Sequence, residues 1–222
     1  MPPSGFDVAM VRLALYLLCF HSSILHTITQ EEGGPMEALL KKEIVLSKAW
    51  RRLFGVMVFV ILTSLGAYIR IPLPFTPVPL TLQTFFVLLS GAFLGSLGVA
   101  SQMLYILLGL LGVSLFTYSG SGIIYLLGPT GGYLVGFLTA SFLVAVLRRA
   151  ASRSLPRTIG VFFLADSALL MMGTVWLGAF LHIPLLRAFL IGFLPFLAGD
   201  LLKAIAAAAL YWKLKARIQE IF

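Results

Sequence analysis

The chain has 222 residues, 60% of them hydrophobic and only 11% charged, with a mean hydropathy of +1.04. A soluble domain carries roughly a quarter charged residues, so too little polar surface exists to cover a water-exposed globule, and the natural solvent is lipid. The formal net charge of +8 would suggest nucleic acid in a soluble protein, but here the basic residues flank apolar runs, as at the ends of transmembrane helices, and nucleic acid is excluded as a partner.

Residues 8–25 form the first apolar run. With Asp7 before it and Arg12 within it, the run lacks the basic leader of a signal peptide. It reads as a dispensable extension upstream of a start at Met36, with an extra helix or an interfacial segment as alternatives. Residues 31–35, polar and Gly-rich, read as a linker, so residues 1–40 are an extension and 41–222 the membrane domain. The single cysteine, Cys19, precludes an internal disulfide. The scattered His21, His26 and His182 offer no metal-ligand spacing, and no metal site is expected.

Residues 53–69, bounded by Arg52 and Arg70, make the first crossing. From Ile71 to Leu147 there is no Asp, Glu, Lys, Arg or His. A helix spans the hydrocarbon core in about 20 residues, so this stretch predicts three crossings. Pro72, Pro74, Pro77 and Pro79 forbid a helix before Leu80. A tight turn is expected at 95–98, and breaks at 119–122 and 128–132. Residues 158–181 are a fifth crossing, and about 194–212 a sixth. The expected fold is an all-α bundle of six transmembrane helices.

The distribution of basic residues supports an even count. Lys41, Lys42, Lys48, Arg51 and Arg52 precede the first crossing; Arg148, Arg149, Arg153 and Arg157 separate the fourth from the fifth; Lys213, Lys215 and Arg217 follow the sixth. Six crossings put all three clusters on one side, leaving Arg70 and Arg187 on the other, and so both termini are expected in the cytoplasm of a multi-pass protein of the cytoplasmic membrane. Small residues at close spacing (Gly91 with Gly95, Gly109 near Gly112, Gly132 with Gly136) are expected to let helices approach closely.

Three ionisable groups lie inside the expected crossings: Asp166, Asp200 and Lys203. Each costs at least about 2.5–3.5 kcal/mol at a helix centre, a cost that persists where structure or function offsets it. Asp200 and Lys203, three apart, share a helix face. They read either as a self-neutralising ion pair or as a ligand site offering an acceptor and a donor. Asp166 stands alone nearer the cytoplasm, at a depth expected to differ from that of Asp200. It reads as a neutral carboxyl or as hydrogen-bonded to a neighbouring helix, and no transport role follows from sequence.

Four stretches carry a resemblance: 71–83 (IPLPFTPVPLTLQ), 105–109 (YILLG), 128–133 (GPTGGY) and 195–203 (PFLAGDLLK). In this order they resemble the BioY family, the biotin-binding S components of energy-coupling factor (ECF) transporters, over about residues 50–215. The resemblance implies a six-helix bundle with both termini cytoplasmic. It implies biotin near the outer face, under the loop after the first helix (71–79) and the loop after the third (118–132). Candidate lid residues are Pro77, Pro79, Gly128, Pro129 and Thr130. Asp200 is the candidate acceptor for the ureido N–H groups and Lys203 the partner of the valerate carboxylate, with the reverse arrangement, or a Lys203–Asp200 pair until ligand arrives, as alternatives. Gln83 is a candidate polar contact, and Phe75, Tyr105 and Tyr133 are candidate walls.

Such proteins usually work with a coupling membrane protein and two ATPases, and the chain itself has no phosphate-binding glycine loop ending in Lys-Ser or Lys-Thr. Solitary function is an alternative. The first crossing lacks the Ala-x-x-x-Ala pair used for docking in the superfamily, for which Gly55, Ser64, Gly66 and Ala67 are candidate substitutes. No enzymatic activity and no cofactor are expected. The competing readings are a sibling carrier for another vitamin, a structural subunit, and an intramembrane aspartyl protease using Asp166 and Asp200. Against the protease stand the unequal depths and Lys203, which would hold Asp200 ionised.

Overall fold

The computed structural model describes the backbone of residues 35–219 and the side chains of 49–216. The apolar run 8–25 and residues 31–34 of the expected linker lie outside the described residues. The chain divides into two compact units, 1–47 and 48–222, and the second holds the membrane-length apolar helices.

Helix α1 is Pro35–Tyr68, and its stretch Ala49–Tyr68 is long and apolar enough to cross a membrane. It leads into a two-stranded antiparallel ribbon, β1 (Arg70–Ile71) and β2 (Leu80–Thr81), in register Arg70↔Thr81 and Ile71↔Leu80. Four prolines between the strands withhold backbone donors, so pairing stops at two residues. This ribbon is absent from the sequence expectation. Helices α2 (Gln83–Leu94) and α3 (Ser96–Leu110) follow, separated by Gly95 alone at φ +61°. A one-residue reversal demands the left-handed region that glycine enters freely. A single 3₁₀ turn (Thr117–Ser119) and α4 (Gly122–Leu126) lead to the long helices α5 (Gly131–Ala151) and α6 (Leu155–Leu181). The short α7 (Leu185–Gly192) precedes α8 (Leu194–Gln219).

Among the described residues, four helices are long and apolar enough to span a membrane, where six crossings were expected. The difference lies in α2 and α3. At 1.5 Å per residue their 12 and 15 residues reach roughly 18 and 22 Å, short of a core about 30 Å thick. Gly95 ends one early, and Gly112 at φ +100° closes the other.

Helix α6 begins earlier than expected because Ser154 caps it, its hydroxyl accepting from Arg157 N at 3.4 Å, with Pro156 in the first turn. His182 in the left-handed region ends it. α5 and α6 form the most extensive helix pair, approaching where a Cβ at Gly136 would lie 3.0 Å from the Leu169 carbonyl oxygen. α2 packs on α3, α5 and α8, and α6 also packs on α7 and α8. Fully buried Tyr105, Phe116, Phe162 and Tyr211 fill the core. A buried polar cluster crosses it: Gln102 Nε2 donates to Ser90 Oγ at 3.1 Å and to Thr63 Oγ1 at 3.4 Å, and Ser90 Oγ meets Ser141 Oγ at 3.3 Å. Such bonds join helices that have no hydrophobic drive to associate in lipid.

The outward face of α1 carries exposed Trp50, Phe54, Met57, Ile61 and Leu65. Gly55, Ser64, Gly66 and Ala67, offered from sequence as a docking face, are instead buried. A Cβ at Gly66 would already stand 3.0 Å from the Gln83 backbone, so these small residues serve packing within the chain. Trp212 Nε1 donates to Thr158 Oγ1 at 2.6 Å, which sets the end of α8 beside the start of α6. Arg148 and Arg149, Arg153 and Arg157, and Lys213 and Lys215 therefore gather at one end. At the other, Tyr68 Oη donates to Ser114 O at 3.2 Å, and Arg70 stacks 3.7 Å over the Tyr118 ring, with Tyr118 at φ +60°.

A paired substitution tests the packing. At Gly98 a Cβ would meet the Ser90 backbone carbon at 2.5 Å and Gly91 N at 2.7 Å, whereas Gly160 on α6 has nothing within 4 Å. Gly98→Ala is expected to cost about 1–3 kcal/mol, seen as a lower melting temperature in detergent. Gly160→Ala is expected to hold or raise it by up to about 1 kcal/mol.

Candidate functional site

Helix α8 brings Asp200 and Lys203 to one face, six and nine residues after its start at Leu194. Asp200 is 1% exposed, and Lys203 12% by its side chain. Their side chains form an ion pair, and Lys203 Nζ also donates to Thr81 O at 2.9 Å and Thr84 Oγ1 at 2.8 Å. All three ammonium protons thus have acceptors, and the lysine ties α8 to β2 and the first turn of α2.

The pair borders a cavity of about 490 Å³ counted to its open mouth. Val78, Pro79, Leu80 and Thr81 form its lip; Gln83 and Thr84 of α2, Tyr133, Leu134 and Phe137 of α5, Leu169 and Leu170 of α6 and Phe196 of α8 its walls. Thr117, Tyr125 and Thr130 close it from the segment between α3 and α5. An apolar pocket with a few convergent polar groups is the usual form of a small-molecule site.

The sequence-predicted residues fall into two groups. Asp200, Lys203, Gln83, Tyr133, Pro79 and Thr130 line the cavity. Gln83 is held rigidly: its Nε2 donates to Tyr105 Oη at 2.6 Å, and its Oε1 accepts from Thr81 Oγ1 and Thr117 Oγ1, both at 3.3 Å. Tyr133 Oη donates to Gly192 O at 2.7 Å, leaving its ring as the wall. Tyr105 is fully buried behind Gln83, donating to Leu115 O at 3.1 Å, and does not border the cavity. Phe75 is 54% exposed and also lies off the lining, as do Pro77, Gly128 and Pro129. Gly128 instead accepts from Trp176 Nε1 at 2.9 Å, which anchors that loop on α6.

Sequence reasoning missed Thr84, Phe137, Leu169 and Phe196. Phe196 was within reach, standing four residues before Asp200 on the same helix face. Thr84 meets Lys203 across 119 residues of chain, and no local pattern announces it. The carboxyl of Asp166 is 1% exposed. Asp166 sits eleven residues after the start of α6 at Leu155 and fifteen before its end at Leu181. Neither Asp166 oxygen has a donor among the described residues.

Residues 36–220 match the model of the BioY family. The "Probable biotin transporter BioY" of Pyrococcus horikoshii is 40% identical over 161 residues, covering 72% of this chain and 93% of that protein. The "Biotin transporter BioY" of Thermotoga maritima is 37% identical over 167 residues, covering 74% and 96%. A solved structure, the S-component for biotin from an ECF-type ABC transporter, superposes with a TM-score of 0.68 at 26% identity, over 79% of this chain and 93% of that one. With the family model matched over most of its length and the fold shared, the chain belongs to the BioY family of multi-pass membrane proteins.

Proposed function

We propose that this chain binds biotin in the cavity beside Asp200 and Lys203 and is the substrate-binding membrane component of a biotin uptake system. The observation that carries the reading is a largely buried ion pair at the wall of a cavity lined otherwise mostly by apolar and aromatic side chains. Biotin presents two N–H donors on a flat ureido ring, an apolar thioether ring and an anionic tail. Asp200 accepts from the ureido N–H groups. Lys203, the longer and less buried partner, exchanges a contact for the carboxylate. Charge-assisted bonds of this kind are the strong ones. Tyr133, Phe137 and Phe196 pack the ring system. Gln83, fixed by Tyr105 and Thr117, supplies a rigid polar edge, and Pro79 and Thr130 lie at the lids. In this reading Tyr105 supports the site rather than touching ligand.

The bundle crosses the membrane six times, α2 and α3 as a short pair, with both termini cytoplasmic. The shared end of the basic clusters supports this, because α1, α2, α3 and α5 make an even number of passes before Arg148. Binding alone cannot concentrate a solute; an energy source must change affinity between outward and inward states. A coupling membrane protein and two ATPases supply it, and since the small residues of α1 are turned inward, docking uses another surface. Residues 1–40 are dispensable for binding, a reading supported by a family match that begins at residue 36.

Radiolabelled biotin uptake in a biotin auxotroph expressing the full chain, with and without a coupling module, tests the reading. Uptake competed by unlabelled biotin and not by other vitamins is expected. No uptake under either condition, or competition by a different vitamin, would sink it.

A further inference from the structure

Recognition through Asp200 and Lys203 leaves one polar group of biotin without a partner. The acid takes ureido N–H donors and the ammonium takes the anionic tail, while the ureido C=O, an acceptor, still needs a donor. Thr81, Gln83 and Thr117 also line the cavity, and the hydrogen bonds behind them decide what they can offer.

Tyr105 is fully buried, its ring packed against Phe116 at a centroid distance of 5.5 Å and against Phe137 at 6.2 Å. Its hydroxyl donates to Leu115 O at 3.1 Å. A backbone carbonyl only accepts, and a tyrosine has one proton to give. With that proton spent, the Tyr105 oxygen meets Gln83 as an acceptor, so the amide nitrogen is the group that faces it, at 2.6 Å. The amide oxygen then turns to Thr81 Oγ1 and Thr117 Oγ1, and both donate to it at 3.3 Å. Each threonine has spent its one hydroxyl proton and offers a ligand only lone pairs. Gln83 keeps one uncommitted N–H. The two orientations of a glutamine amide are nearly equal in shape; here a backbone carbonyl, acting through Tyr105, chooses between them.

We infer that the uncommitted N–H of Gln83 donates to the ureido oxygen of biotin, and that Tyr105 is the positioning residue that fixes this polarity. The inference rests on the biotin reading and deepens it. A ligand bearing a donor in place of the ureido oxygen would need the Gln83 amide turned over. Tyr105 would then have to give its proton to Gln83 Oε1, leaving Leu115 O without the donor it has. That lost bond is the barrier against the wrong ligand. Phenylalanine at position 105 keeps the ring packing and removes the barrier, because the Leu115 bond is absent whichever way the amide lies.

The experiment measures binding of biotin and of its cyclic guanidine analogue to the purified full chain and to Tyr105→Phe at neutral pH. In the analogue the ureido C=O is replaced by a protonated C=NH, which donates. The ratio of biotin affinity to analogue affinity is expected to fall by about fivefold in Tyr105→Phe, the effect of one hydrogen bond. A merely structural role for Tyr105 would weaken both ligands alike and leave the ratio where it was. Infrared spectroscopy of biotin carrying carbon-13 at the ureido carbon gives a second readout that does not depend on Tyr105→Phe folding. The ureido carbonyl stretch is expected at lower frequency in wild type than in Gln83→Leu, which lacks the donor. An unchanged affinity ratio in Tyr105→Phe, or the same carbonyl frequency in wild type and Gln83→Leu, would overturn the inference while leaving biotin binding intact. Failure of the wild type to bind biotin would defeat the functional reading and this inference with it.

Discussion

Asp200→Asn is expected to weaken biotin binding by at least about tenfold while the protein still folds. The substitution preserves shape, so Phe196 and Tyr133 keep their packing at a ring-centroid distance of 6.3 Å. What changes is charge and the number of acceptors. A carboxylate offers acceptor sites on both oxygens and can serve Lys203 and a ureido N–H together, whereas an amide keeps one oxygen and turns two donors toward an ammonium and an N–H. A hydrogen bond to a charged group contributes about 1.5–3 kcal/mol, and 1.4 kcal/mol corresponds to tenfold in affinity. Equilibrium binding to detergent-purified protein gives the loss directly, with size-exclusion profile and melting temperature as controls for fold. Affinity equal to wild type would remove Asp200 from the site.

The pairing of Asp200 with Lys203 was legible in sequence because three-residue spacing on a helix is a local rule. The Pro-rich segment was legible as a non-helical connection for the same reason, since proline acts within a turn of itself. The length of α2 and α3 was not. An uncharged stretch of 77 residues, 71 to 147, says how much chain is apolar but not that one glycine, Gly95, suffices to reverse it. The orientation of the small residues of α1 was equally hidden: Gly66 is buried because the start of α2 folds back onto it, a consequence of the ribbon that pairs Arg70 with Thr81. The start of α6 was misplaced because the apolar run was counted from Thr158, after the charged Arg157, while the backbone helix begins at the Ser154 cap. Hydrophobicity marks where lipid begins, whereas capping marks where the helix begins. Tyr105 was expected at the cavity and stands one layer behind it, since its hydroxyl is taken up by Gln83 and the Leu115 carbonyl. The misplacements of Tyr105 and of the small residues of α1 concern contacts between distant segments, which periodicity does not encode.

Lys203→Ala is expected to produce the larger structural effect and the more informative ligand effect. Removing the ammonium leaves the Asp200 carboxylate, 1% exposed, without its counter-ion, and deprives Thr81 O and Thr84 Oγ1 of their donor. Breaking a buried pair from one side costs about 3–5 kcal/mol, and here the same cation also fastens α8 to the ribbon and to α2. The residual 12% exposure of Lys203 places the loss toward the lower end. A fall in melting temperature and a loosened lip at Val78–Thr81 are therefore expected, the latter as faster amide hydrogen exchange there. Biotin affinity should drop by at least about tenfold, the charge-assisted contact being worth about 1.5–3 kcal/mol. Loosening the lip weakens any ligand, so biotin loss alone does not locate the carboxylate. The ratio of biotin to biotin amide does: it is expected to collapse toward unity in Lys203→Ala, because only the anion used the missing charge. Equal losses for acid and amide would place the carboxylate elsewhere and confine Lys203 to holding Asp200 and the lip in place.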